Sequence, residues 1–450
     1  MRKLTSKFPY SNVLVLGLAR SGTAASLVLL QNDKKVRIND MSANEYDENV
    51  QTLKSMGAEV IVGSHPLSVL DDIEIVVKNP GISYDNSILV EAKNRSIPII
   101  TEVEIAGQLA GDSIIGITGS NGKTTTTTLT TEMLLASNSK VKVAGNIGTV
   151  ASQVAQELED KEKLVLELSS FQLLGIESFK PKVAVLLNIY EAHIDYHKTF
   201  ANYKEAKFNI FSNQTFDDYL VYNSDDHEVV EAVKRAASRL VPFSVTNRLL
   251  DGAWADEKSI YFKDEKIIDR SEIVLVGDHN LENILAALSA AKLSGATNAG
   301  IRSVLTSFSS VKHRLQFVET INNRLFYNDS KATNILATQK ALSSFTQPTI
   351  LLAGGLDRGN EFEDLLPYLK NVKAMVLFGQ TAEKLKKLAE EADIQEVKIA
   401  ANVEDAVVKA YSLSVTDDVI LLSPACASWD QYKTFEERGD MFIQAVHTLM

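Results

Sequence analysis

The chain has 450 residues, which is enough for about three domains at roughly 150 residues each. Hydrophobic residues make up 45% of it, which argues against a disordered protein and allows several buried cores. The formal net charge of -12 argues against nucleic acid as a main partner. An anionic substrate would therefore have to be bound by local features such as lysines, helix N-termini or metal ions.

Cysteine usage and hydropathy indicate a soluble, cytoplasmic protein without membrane insertion. The only cysteine, Cys426, allows neither an internal disulfide nor a thiolate metal cluster, which fits a reducing compartment. No apolar run approaches the roughly 18 residues of a membrane span. The N-terminus is basic and then apolar like a signal peptide, but the stretch 13–19 is short and ends at Arg20, which favours a β-strand.

Short Val, Ile and Leu runs alternate with amphipathic stretches along the whole chain, which predicts an α/β fold with parallel sheets. The pattern restarts twice, and we place domain boundaries there, giving domains 1–104, 105–310 and 311–450. Helices are predicted from Thr124 onward and over the stretch that Gly295 ends. The predicted strands, in chain order, are Asn12–Leu16, Val36–Ile38, Val60–Val62, Ile73–Val77, Ile114–Ile117, Val141–Ala144, Leu164–Leu168, Val183–Leu187, Leu325–Asn328, Thr349–Leu352, Ala374–Leu377 and Val419–Leu422.

The motif GLARSG follows the first predicted strand, and Asp40 follows the second at about the distance of the dinucleotide-binding fingerprint. Ala19 stands where that fingerprint has its middle glycine, and its methyl group would crowd a pyrophosphate. The motif therefore predicts a nucleotide-type pocket but not an NAD site. An ordinary strand-to-helix turn is the alternative.

A second motif, GITGSNGKTTTTT, spans residues 116–128 between a predicted strand and a predicted helix. It departs from the usual phosphate loop because Ile117 stands where the first glycine is expected, while Gly119 and Gly122 are present. In such a loop Lys123 can reach the outer phosphates and the Thr124 hydroxyl can bind Mg²⁺. A Ser/Thr/Gly-rich turn is the alternative.

Three ionisable residues follow in the same segment. Glu167 ends an apolar strand, where a carboxylate is costly unless it is paired or bound to a metal, so we expect a Mg²⁺ partner. A salt bridge at the sheet edge is the alternative. His193, taken alone, is more often a structural residue than a ligand, and Lys207 is by default a solvated helix lysine. A lysine near a metal would be repelled unless its amine carried CO₂ as a carbamate.

Polar clusters follow three predicted strands of the third segment, at the strand ends where α/β proteins form ligand sites. Any one cluster could simply be the polar residues of an ordinary loop, but three together favour a binding site. The candidate residues are Arg314 in HRLQF, Asp329, Lys331 and Thr333 in YNDSKATN, Arg358 in LLAGGLDRG, and Ser428 and Phe435 in LLSPACASWDQYKTFEERG.

Together these motifs resemble the Mur ligase family over essentially the whole chain. The family's phosphate loop, T-G-[ST]-N-G-K-[ST], matches residues 118–124 at every position. The strings GNIG, LELSSFQL, NDSKATN and SPACAS are equally specific, and the last two point to a D-glutamate-adding member. The resemblance implies an N-terminal Rossmann-like domain for the UDP part of a substrate, a central P-loop ATPase-type domain with a parallel sheet, and a C-terminal Rossmann-like domain for the amino acid.

The implied activity is that of an ATP-dependent acid–D-amino-acid ligase of peptidoglycan precursor synthesis, and so of cell-wall growth and division. The carboxylate of UDP-N-acetylmuramoyl-L-alanine would attack the γ-phosphate of ATP to give an acyl phosphate. The amine of D-glutamate would then displace phosphate through a tetrahedral intermediate. The cofactors would be ATP, two Mg²⁺ ions and a CO₂-derived carbamate on Lys207, in a monomer without nucleic-acid partners.

The resemblance also assigns roles residue by residue. The implied catalytic residues are Lys123, Glu167, His193 and Lys207. One Mg²⁺ would be held by Thr124 and Glu167, and a second by His193 and carbamylated Lys207. The implied ATP contacts are Gly119, Ser120, Asn121, Gly122, Lys123, Thr124, Thr125, Asn280, Arg314 and Asp329. The implied UDP-sugar contacts are Arg20, Ser21, Asp40, Asn79 and Asn146, and the implied D-glutamate contacts are Lys331, Thr333, Arg358, Ser428 and Phe435.

Two other functions are compatible with the same motifs. One is a related amide ligase, either another Mur ligase or an enzyme like folylpolyglutamate synthetase, although the latter lacks NDSKATN and SPACAS. The other is a nucleotide-gated binding protein without chemistry, which leaves the third-segment clusters unexplained.

Overall fold

A computed structural model describes residues 1–4, 8–275, 277–308 and 311–449. The chain forms two compact units. The first unit comprises Met1–Ile273 and Leu281–Thr306, and the second comprises Val274–Asn280 and Ser307–Met450.

The first unit opens with a five-stranded parallel sheet in the order β3-β2-β1-β4-β5. The strands of this sheet are β1 (Asn12–Leu16), β2 (Lys35–Asp40), β3 (Glu59–Val62), β4 (Ile75–Lys78) and β5 (Ile99–Thr101). The helices that accompany them are α1 (Arg20–Gln31), α2 (Glu48–Ser55) and α3 (Ser87–Asn94). Because its strands are parallel and joined by helices, this sheet is Rossmann-like, as the sequence predicted.

A nine-stranded sheet follows in the same unit, in the order β14-β13-β12-β11-β10-β9-β6-β8-β7. The strands of this sheet are β6 (Ile114–Thr118), β7 (Val141–Gly145), β8 (Lys163–Glu167), β9 (Val183–Leu186), β10 (Tyr219–Asn223), β11 (Arg239–Ser244), β12 (Ala253–Ala255), β13 (Ser259–Phe262) and β14 (Glu265–Asp269). The helices are α4 (Glu102–Ala110), α5 (Lys123–Leu135), α6 (Ala151–Gln156), α7 (Ser170–Leu173), α8 (Ile194–His197), α9 (Phe200–Phe208), α10 (His227–Val233), α11 (Asp278–Leu293) and α12 (Asn298–Leu305). Its pairings are parallel from β7 through β12, and β13 and β14 extend it as antiparallel strands.

The second unit is built on a six-stranded sheet in the order β15-β16-β20-β17-β18-β19. The strands of this sheet are β15 (Gln316–Ile321), β16 (Arg324–Asn328), β17 (Thr349–Gly354), β18 (Val372–Phe378), β19 (Glu396–Ile399) and β20 (Val419–Leu422). Its helices are α13 (Ile335–Leu342), α14 (Ala382–Glu391), α15 (Val403–Leu413) and α16 (Phe435–His447). All pairings are parallel except that of the edge strand β15 with β16.

Each strand predicted from the sequence is present, with ends that differ by no more than two residues. The strand predicted over 73–77 covers Ile75–Lys78, and the one predicted over 164–168 covers Lys163–Glu167. The strands β5, β10 to β15 and β19 were not predicted from the sequence pattern. Among these, β5 and β12 have three residues each, too few for a reliable pattern.

Of the two predicted domain boundaries, one falls within a helix and the other lies outside the described residues. Residue 104 lies within helix α4, and residue 310 lies outside the described residues. In the part of the chain that the structure describes, no helix combines the length and apolar character needed to cross a membrane.

Strand order in the nine-stranded sheet brings three loops together. β6 lies between β9 and β8, and all three run parallel, so their carboxyl ends share one edge of the sheet. The loops that begin after Thr118, Glu167 and Leu186 therefore meet at that edge, where ligand sites of α/β sheets form.

Candidate active site

The phosphate loop follows β6 and ends at Gly122, directly before helix α5. Gly122 has a φ of +82°, and a Cβ there would lie 2.0 Å from Asn283 Oδ1, so only glycine fits. At Gly119 a Cβ would lie 2.8 Å from the Cβ of Leu187. Ile117, which replaces the first glycine of the usual pattern, is a fully buried residue of β6. The glycines thus stand where this loop approaches its neighbours most closely.

Hydrogen bonds hold the loop in one conformation. The backbone N–H of Ser120 donates to the Asn188 carbonyl at 2.9 Å, and that of Asn121 donates to Asn188 Oδ1 at 2.9 Å. Lys123 Nζ donates to the carbonyls of Gly119 at 2.8 Å and Ser120 at 2.9 Å. An ammonium and a helix N-terminus therefore lie together, which suits a phosphate group.

Glu167 is the last residue of β8 and is only 2% exposed. Its Oε1 accepts a hydrogen bond from Asn146 Nδ2 at 2.8 Å, and its backbone carbonyl accepts from the Asn146 N–H at 2.8 Å. Among the described residues, Oε2 is buried without a hydrogen-bond partner. A buried carboxylate oxygen without a donor is unfavourable, so this side chain fits a bound cation.

The chain after Glu167 turns sharply into helix α7. Ser169 caps that helix by accepting from the N–H of Gln172, and the Gln172 side chain accepts from the N–H of Ser169, which forms a capping box. Thr118 Oγ1 donates to the Leu168 carbonyl at 2.8 Å. These contacts explain the polar residues of LELSSFQL and fix the carboxyl end of β8 beside that of β6.

Lys207 is buried in helix α9, with only 2% of the residue exposed, so its default reading as a solvated lysine is wrong. Its Nζ donates to the Gly119 carbonyl of the phosphate loop at 2.8 Å and lies 4.9 Å from the centre of the Tyr203 ring. Burial, together with the charge of Lys123, lowers the pKa of Lys207 well below its usual value, and Glu167 opposes this effect.

His193 immediately precedes helix α8 and has a left-handed backbone, with φ of +55°. Its ring packs edge-on against Phe171, with centroids 5.1 Å apart. Burial lowers the pKa of the His193 imidazole, and the charges of Lys207 and Lys123 lower it further, against the effect of Asp195. His193 is therefore close enough to both lysines to sense their charge.

The predicted metal ligands can be compared with the donors present. Among the described residues, no three His, Cys, Asp or Glu side chains are grouped as a metal site. Glu167 offers its unpartnered Oε2, and Thr124 lies in the first turn of helix α5. The residues fit Mg²⁺, which prefers oxygen ligands, only if phosphate oxygens or a carbamate complete the set.

Of the predicted UDP-sugar contacts, Arg20, Ser21, Asp40 and Asn79 belong to the first sheet and its connections, whereas Asn146 follows β7 of the nine-stranded sheet. The Asp40 carboxylate accepts backbone hydrogen bonds from Leu18 at 2.6 Å, Ser42 at 2.7 Å and Ala43 at 2.8 Å. Burial alone would raise the pKa of Asp40, but these N–H donors lower it below its usual value. The loop after β1 is thereby tied to the loop after β2, as in a nucleotide pocket.

Leu18, whose N–H donates to Asp40, also lines a cavity of about 280 Å³. Arg20 lines it and donates through Nη2 to the Gly148 carbonyl. The cavity does not include Ser21, Asp40, Asn79 or Asn146; the last of these contacts Glu167. Its lining residues are Leu18, Arg20, Thr23, Ala24, Leu27, Asn49, Thr149, Val150 and Gln153.

In the second unit, Asp329 follows β16 and is buried. Its Oδ1 accepts from the Leu315 N–H at 3.0 Å, and its Oδ2 accepts from Ser423 Oγ at 2.9 Å. Burial raises the pKa of Asp329 to about 7, against these hydrogen bonds and the nearby charge of Arg314. Arg314 and Asp329 are therefore neighbours, and Asn280, the third predicted ATP contact of this unit, is also buried.

The predicted D-glutamate residues form two cation–aromatic pairs. Lys331 Nζ lies 5.4 Å from the centre of the Phe435 ring. The Arg358 guanidinium lies 4.7 Å from the centre of the Trp429 ring, next to Ser428. Ser428 Oγ is buried without a hydrogen-bond partner among the described residues.

Thr333 follows Lys331 closely, and its N–H donates to the Lys331 carbonyl at 2.8 Å. The region thus offers two cations and an unsatisfied hydroxyl, which suits a ligand with two carboxylates.

Comparisons with known proteins extend over the whole chain. Three family models match, described as a Mur ligase MurD-like N-terminal domain over residues 11–101, a Mur ligase middle domain over 117–291 and a Mur ligase glutamate ligase domain over 313–426. A UDP-N-acetylmuramoylalanine–D-glutamate ligase of Oceanobacillus iheyensis is 62% identical over 449 residues, with full coverage of both chains. The enzyme of that name from Bacillus cereus strain G9842 is 56% identical, with the same coverage.

The chain belongs to the Mur ligase family. A crystal structure of the Mur ligase MurC from Thermotoga maritima has a TM-score of 0.58, with 18% identity, covering 98% of this chain and 100% of that one. At this identity the match supports the fold alone, and it agrees with the three parallel-dominated sheets of a three-domain Mur ligase.

Two residues that the sequence analysis did not single out support the Mur ligase site. The Tyr203 hydroxyl lies 2.8 Å from Ser120 Oγ, and its ring lies below Lys207. The fully buried Arg438 donates to the carbonyls of Ser330 at 2.8 Å and Cys426 at 3.1 Å. Tyr203 and Lys207 stand four positions apart on one helix, a spacing that could have indicated their contact.

Proposed function

We propose that this Mur ligase adds D-glutamate to UDP-N-acetylmuramoyl-L-alanine in an ATP-dependent reaction that releases ADP and phosphate. The observation that carries this proposal is the 62% identity, over the full length of both chains, to a UDP-N-acetylmuramoylalanine–D-glutamate ligase. The convergence of the phosphate loop, Glu167 and Lys207 at one sheet edge supports it chemically.

Lys123 would bind the outer phosphates of ATP. Its ammonium now contacts two loop carbonyls, Gly119 and Ser120, and a γ-phosphate oxygen would be a stronger acceptor for the same donor. The N–H groups at residues 119–125 and Asn280, Arg314 and Asp329 are the other proposed ATP contacts. The carboxylate of the substrate would attack the γ-phosphate, because a free carboxylate is too poor an electrophile for an amine.

Mg²⁺ would be bound by Thr124 and Glu167, with a second ion at His193 and Lys207. When bound, these ions would screen the repulsion between the substrate carboxylate and the phosphates. The unpartnered Glu167 Oε2 supports this assignment, since its burial is otherwise unfavourable. Asn146, bonded to Oε1, would hold the carboxylate group in position.

A carbamate on Lys207 is the proposed form of that side chain in the active enzyme. Carbamate formation needs the neutral amine: its lone pair forms an N–C bond to CO₂ and one N–H proton leaves to solvent. Burial and the charge of Lys123 lower the pKa of Lys207 and so favour the neutral amine. The product carries a negative charge, which replaces a repulsive cation near the metal site with an oxygen donor.

D-Glutamate would be bound by Lys331, Thr333, Arg358, Ser428 and Phe435. The ammonium and guanidinium are each held over an aromatic ring and could pair with one carboxylate each. Arg20, Ser21, Asp40, Asn79 and Asn146 are the proposed contacts of the UDP-sugar part.

The chain would form three domains, 1–104, 105–310 and 311–450, and would act as a cytoplasmic monomer. The first sheet ends at Thr101 and the second begins at Ile114, which supports the first boundary to within several residues. Helix α4 would then contain the junction.

A phosphate-release assay tests the proposed function. The protein is incubated with ATP, Mg²⁺ and UDP-N-acetylmuramoyl-L-alanine, and phosphate is measured with D-glutamate, with L-glutamate and with neither. We expect release that requires D-glutamate. Equal rates with L-glutamate would indicate a different ligase of this fold, and release independent of any amino acid would contradict amide formation.

A further inference from the structure

Lys78 is a buried lysine outside the proposed catalytic set. It ends strand β4 and is 1% exposed. Its Nζ donates to the Pro80 carbonyl at 3.1 Å and to the Tyr196 hydroxyl at 3.2 Å. The ammonium lies 4.7 Å from the centre of the Tyr84 ring. A buried ammonium is costly, and its two hydrogen bonds and an aromatic face offset only part of that cost.

Tyr196 receives this hydrogen bond in helix α8, so the bond links the five-stranded sheet to a helix of the nine-stranded sheet. Its hydroxyl also lies 3.1 Å from the Pro80 carbonyl and 3.0 Å from the Ile82 carbonyl, both of which are acceptors for its single proton. Three groups of the segment 78–82 thus converge on one phenol oxygen. Lys78 is the last residue of β4, and the Asn79 N–H donates to the Leu16 carbonyl of β1 at 2.9 Å, so the segment leaves the sheet directly after Lys78.

The segment 78–82 includes a proposed substrate contact. Asn79 directly follows Lys78, and its Oδ1 accepts from the Gly81 N–H at 3.2 Å. The Ile82 N–H donates to the Asn79 carbonyl at 3.0 Å, which closes a tight turn. Any displacement of Asn79 by a bound substrate would therefore be transmitted to the carbonyls of Pro80 and Ile82.

Tyr196 belongs to helix α8, which begins directly after the proposed metal ligand His193. The helix is short, and the Phe171 ring contacts both residues, with centroids 4.6 Å from Tyr196 and 5.1 Å from His193. The His197 ring lies beside them, and its Nε2 is 3.0 Å from Ser170 Oγ. Helix α8 therefore lies between the Phe171 ring on one side and the segment 78–82 on the other.

We propose that Lys78 and Tyr196 are positioning residues that couple substrate binding at Asn79 to the placement of His193. The inference rests on the proposed function, because it takes Asn79 as a substrate contact and His193 as a metal ligand. A shared rigid contact makes binding at the two sites interdependent, and such a coupling is reciprocal.

Calorimetry tests the coupling without relying on turnover. The dissociation constant of UDP-N-acetylmuramoyl-L-alanine is measured with and without Mn²⁺ as the probe ion, for the wild-type chain and for Tyr196→Phe. The ratio of the two constants is the coupling factor. Tyr196→Phe keeps the ring against Phe171 and removes only the hydroxyl, and we expect it to reduce the coupling factor at least about fivefold.

Lys78→Met provides a second variant in case Tyr196→Phe is poorly folded, and it should reduce the coupling factor to a similar extent. Tyr84→Phe is the matched control, because its hydroxyl lies 3.4 Å from the Leu174 carbonyl and does not bond to residues 78–82. Its coupling factor should equal that of the wild type. In kinetics, the two test variants should lower kcat while leaving the KM for ATP unchanged.

The results distinguish a failure of the coupling proposal from a failure of the proposed function. A purely structural role for this contact would lower the melting temperature of the test variants and leave the coupling factor unchanged, which would overturn the proposal. A wild-type chain without any coupling, or an equal loss in Tyr84→Phe, would overturn it as well. Failure of the proposed function would instead be seen in the wild type, as absence of D-glutamate-dependent phosphate release.

Discussion

Glu167 and Lys207 are two buried ionisable side chains of the candidate site, and neither forms an ion pair with another described residue. Glu167 has one carboxylate oxygen without a hydrogen bond among the described residues, and Lys207 donates to a neutral carbonyl. An ion pair between them would satisfy both, yet the charge of Lys123 and burial outweigh Glu167 and lower the pKa of Lys207. This arrangement is unfavourable without a ligand and suits a site that binds metal and carries a modified lysine.

Replacement of Lys207 tests the carbamate. We expect Lys207→Ala to lose activity by on the order of 100-fold, because an oxygen ligand near the transferred phosphoryl group is removed. Short carboxylic acids such as formate or acetate should restore part of the phosphate release, since they can occupy the place of the carbamate. Lys204→Ala is the control on the same helix, where the lysine pairs with Glu228 at 2.6 Å, and it should stay active and be indifferent to these acids. Lys207→Ala with full activity, or without rescue, would argue against the carbamate.

Glu102 gives a prediction on stability. It is buried at the start of helix α4 and accepts a hydrogen bond from the Ser152 N–H, while burial raises its pKa to about 7. The folded state therefore retains a proton that the unfolded chain releases near pH 4.5. Its contribution to stability is full below that pH and falls by about 3 kcal/mol as the pH rises to 7.

The measurement is the apparent melting temperature between pH 5 and pH 8. Glu102→Gln keeps the acceptor oxygen without the titration, so the melting temperature of the wild type should fall relative to that of Glu102→Gln as the pH rises. Glu132→Gln, which changes an exposed carboxylate, should follow the wild type. Parallel curves for all three proteins would contradict the account.

Helix α5 forms from a threonine-rich stretch that is poor helix material, because β-branched side chains lose rotamer freedom there. Burial and hydroxyl contacts compensate. The hydroxyls of Thr128, Thr130 and Thr131 donate to the backbone carbonyls four residues earlier at 2.7 to 2.8 Å. Thr126 Oγ1 lies 3.5 Å from Asn283 Oδ1, a weak contact to helix α11. The run is thus a packed, self-bonded helix behind the phosphate loop.

Two buried threonines of this helix differ in whether the hydroxyl is hydrogen-bonded. Thr127 Oγ1 has no hydrogen-bond partner among the described residues, whereas Thr131 Oγ1 donates to the Thr127 carbonyl at 2.8 Å. Thr127→Val should therefore be neutral or stabilising, and Thr131→Val should cost about 1 kcal/mol. Urea midpoints of the two variants check this difference. A larger loss in Thr127→Val would show that its hydroxyl has an important partner.

In the nine-stranded sheet, sequence patterns predict the strands around the phosphate loop, but they do not predict how many further strands the sheet has. β6, β8 and β9 each contain a run of buried apolar residues, so their pattern is plain. β12 to β14 are short strands whose antiparallel pairing depends on tertiary contact, such as the stacking of Trp254 on Tyr261 at 4.1 Å. Strand propensity is strongly context-dependent, so such short runs carry little local signal.

At the scale of the whole molecule, the sequence motifs were sufficient to predict the family, the α/β class and the architecture of three sheets. They could not indicate that Lys207 is buried, because one lysine in a helix is solvated unless its neighbours exclude water. Nor could they indicate that Asn146 holds Glu167, since these residues meet only through the pairing of β7 with β8. The assignments that depend on bound substrates remain predictions.

The most direct test of the account is transfer of ¹⁸O from the substrate carboxylate to phosphate. UDP-N-acetylmuramoyl-L-alanine labelled with ¹⁸O in its alanyl carboxylate is turned over with ATP, Mg²⁺ and D-glutamate, and the released phosphate is analysed by mass spectrometry. Attack of the carboxylate on the γ-phosphate predicts one ¹⁸O atom in each phosphate and a requirement for D-glutamate. Unlabelled phosphate, with the label retained in the product or the substrate, would show that water attacks ATP and would contradict ligation through an acyl phosphate.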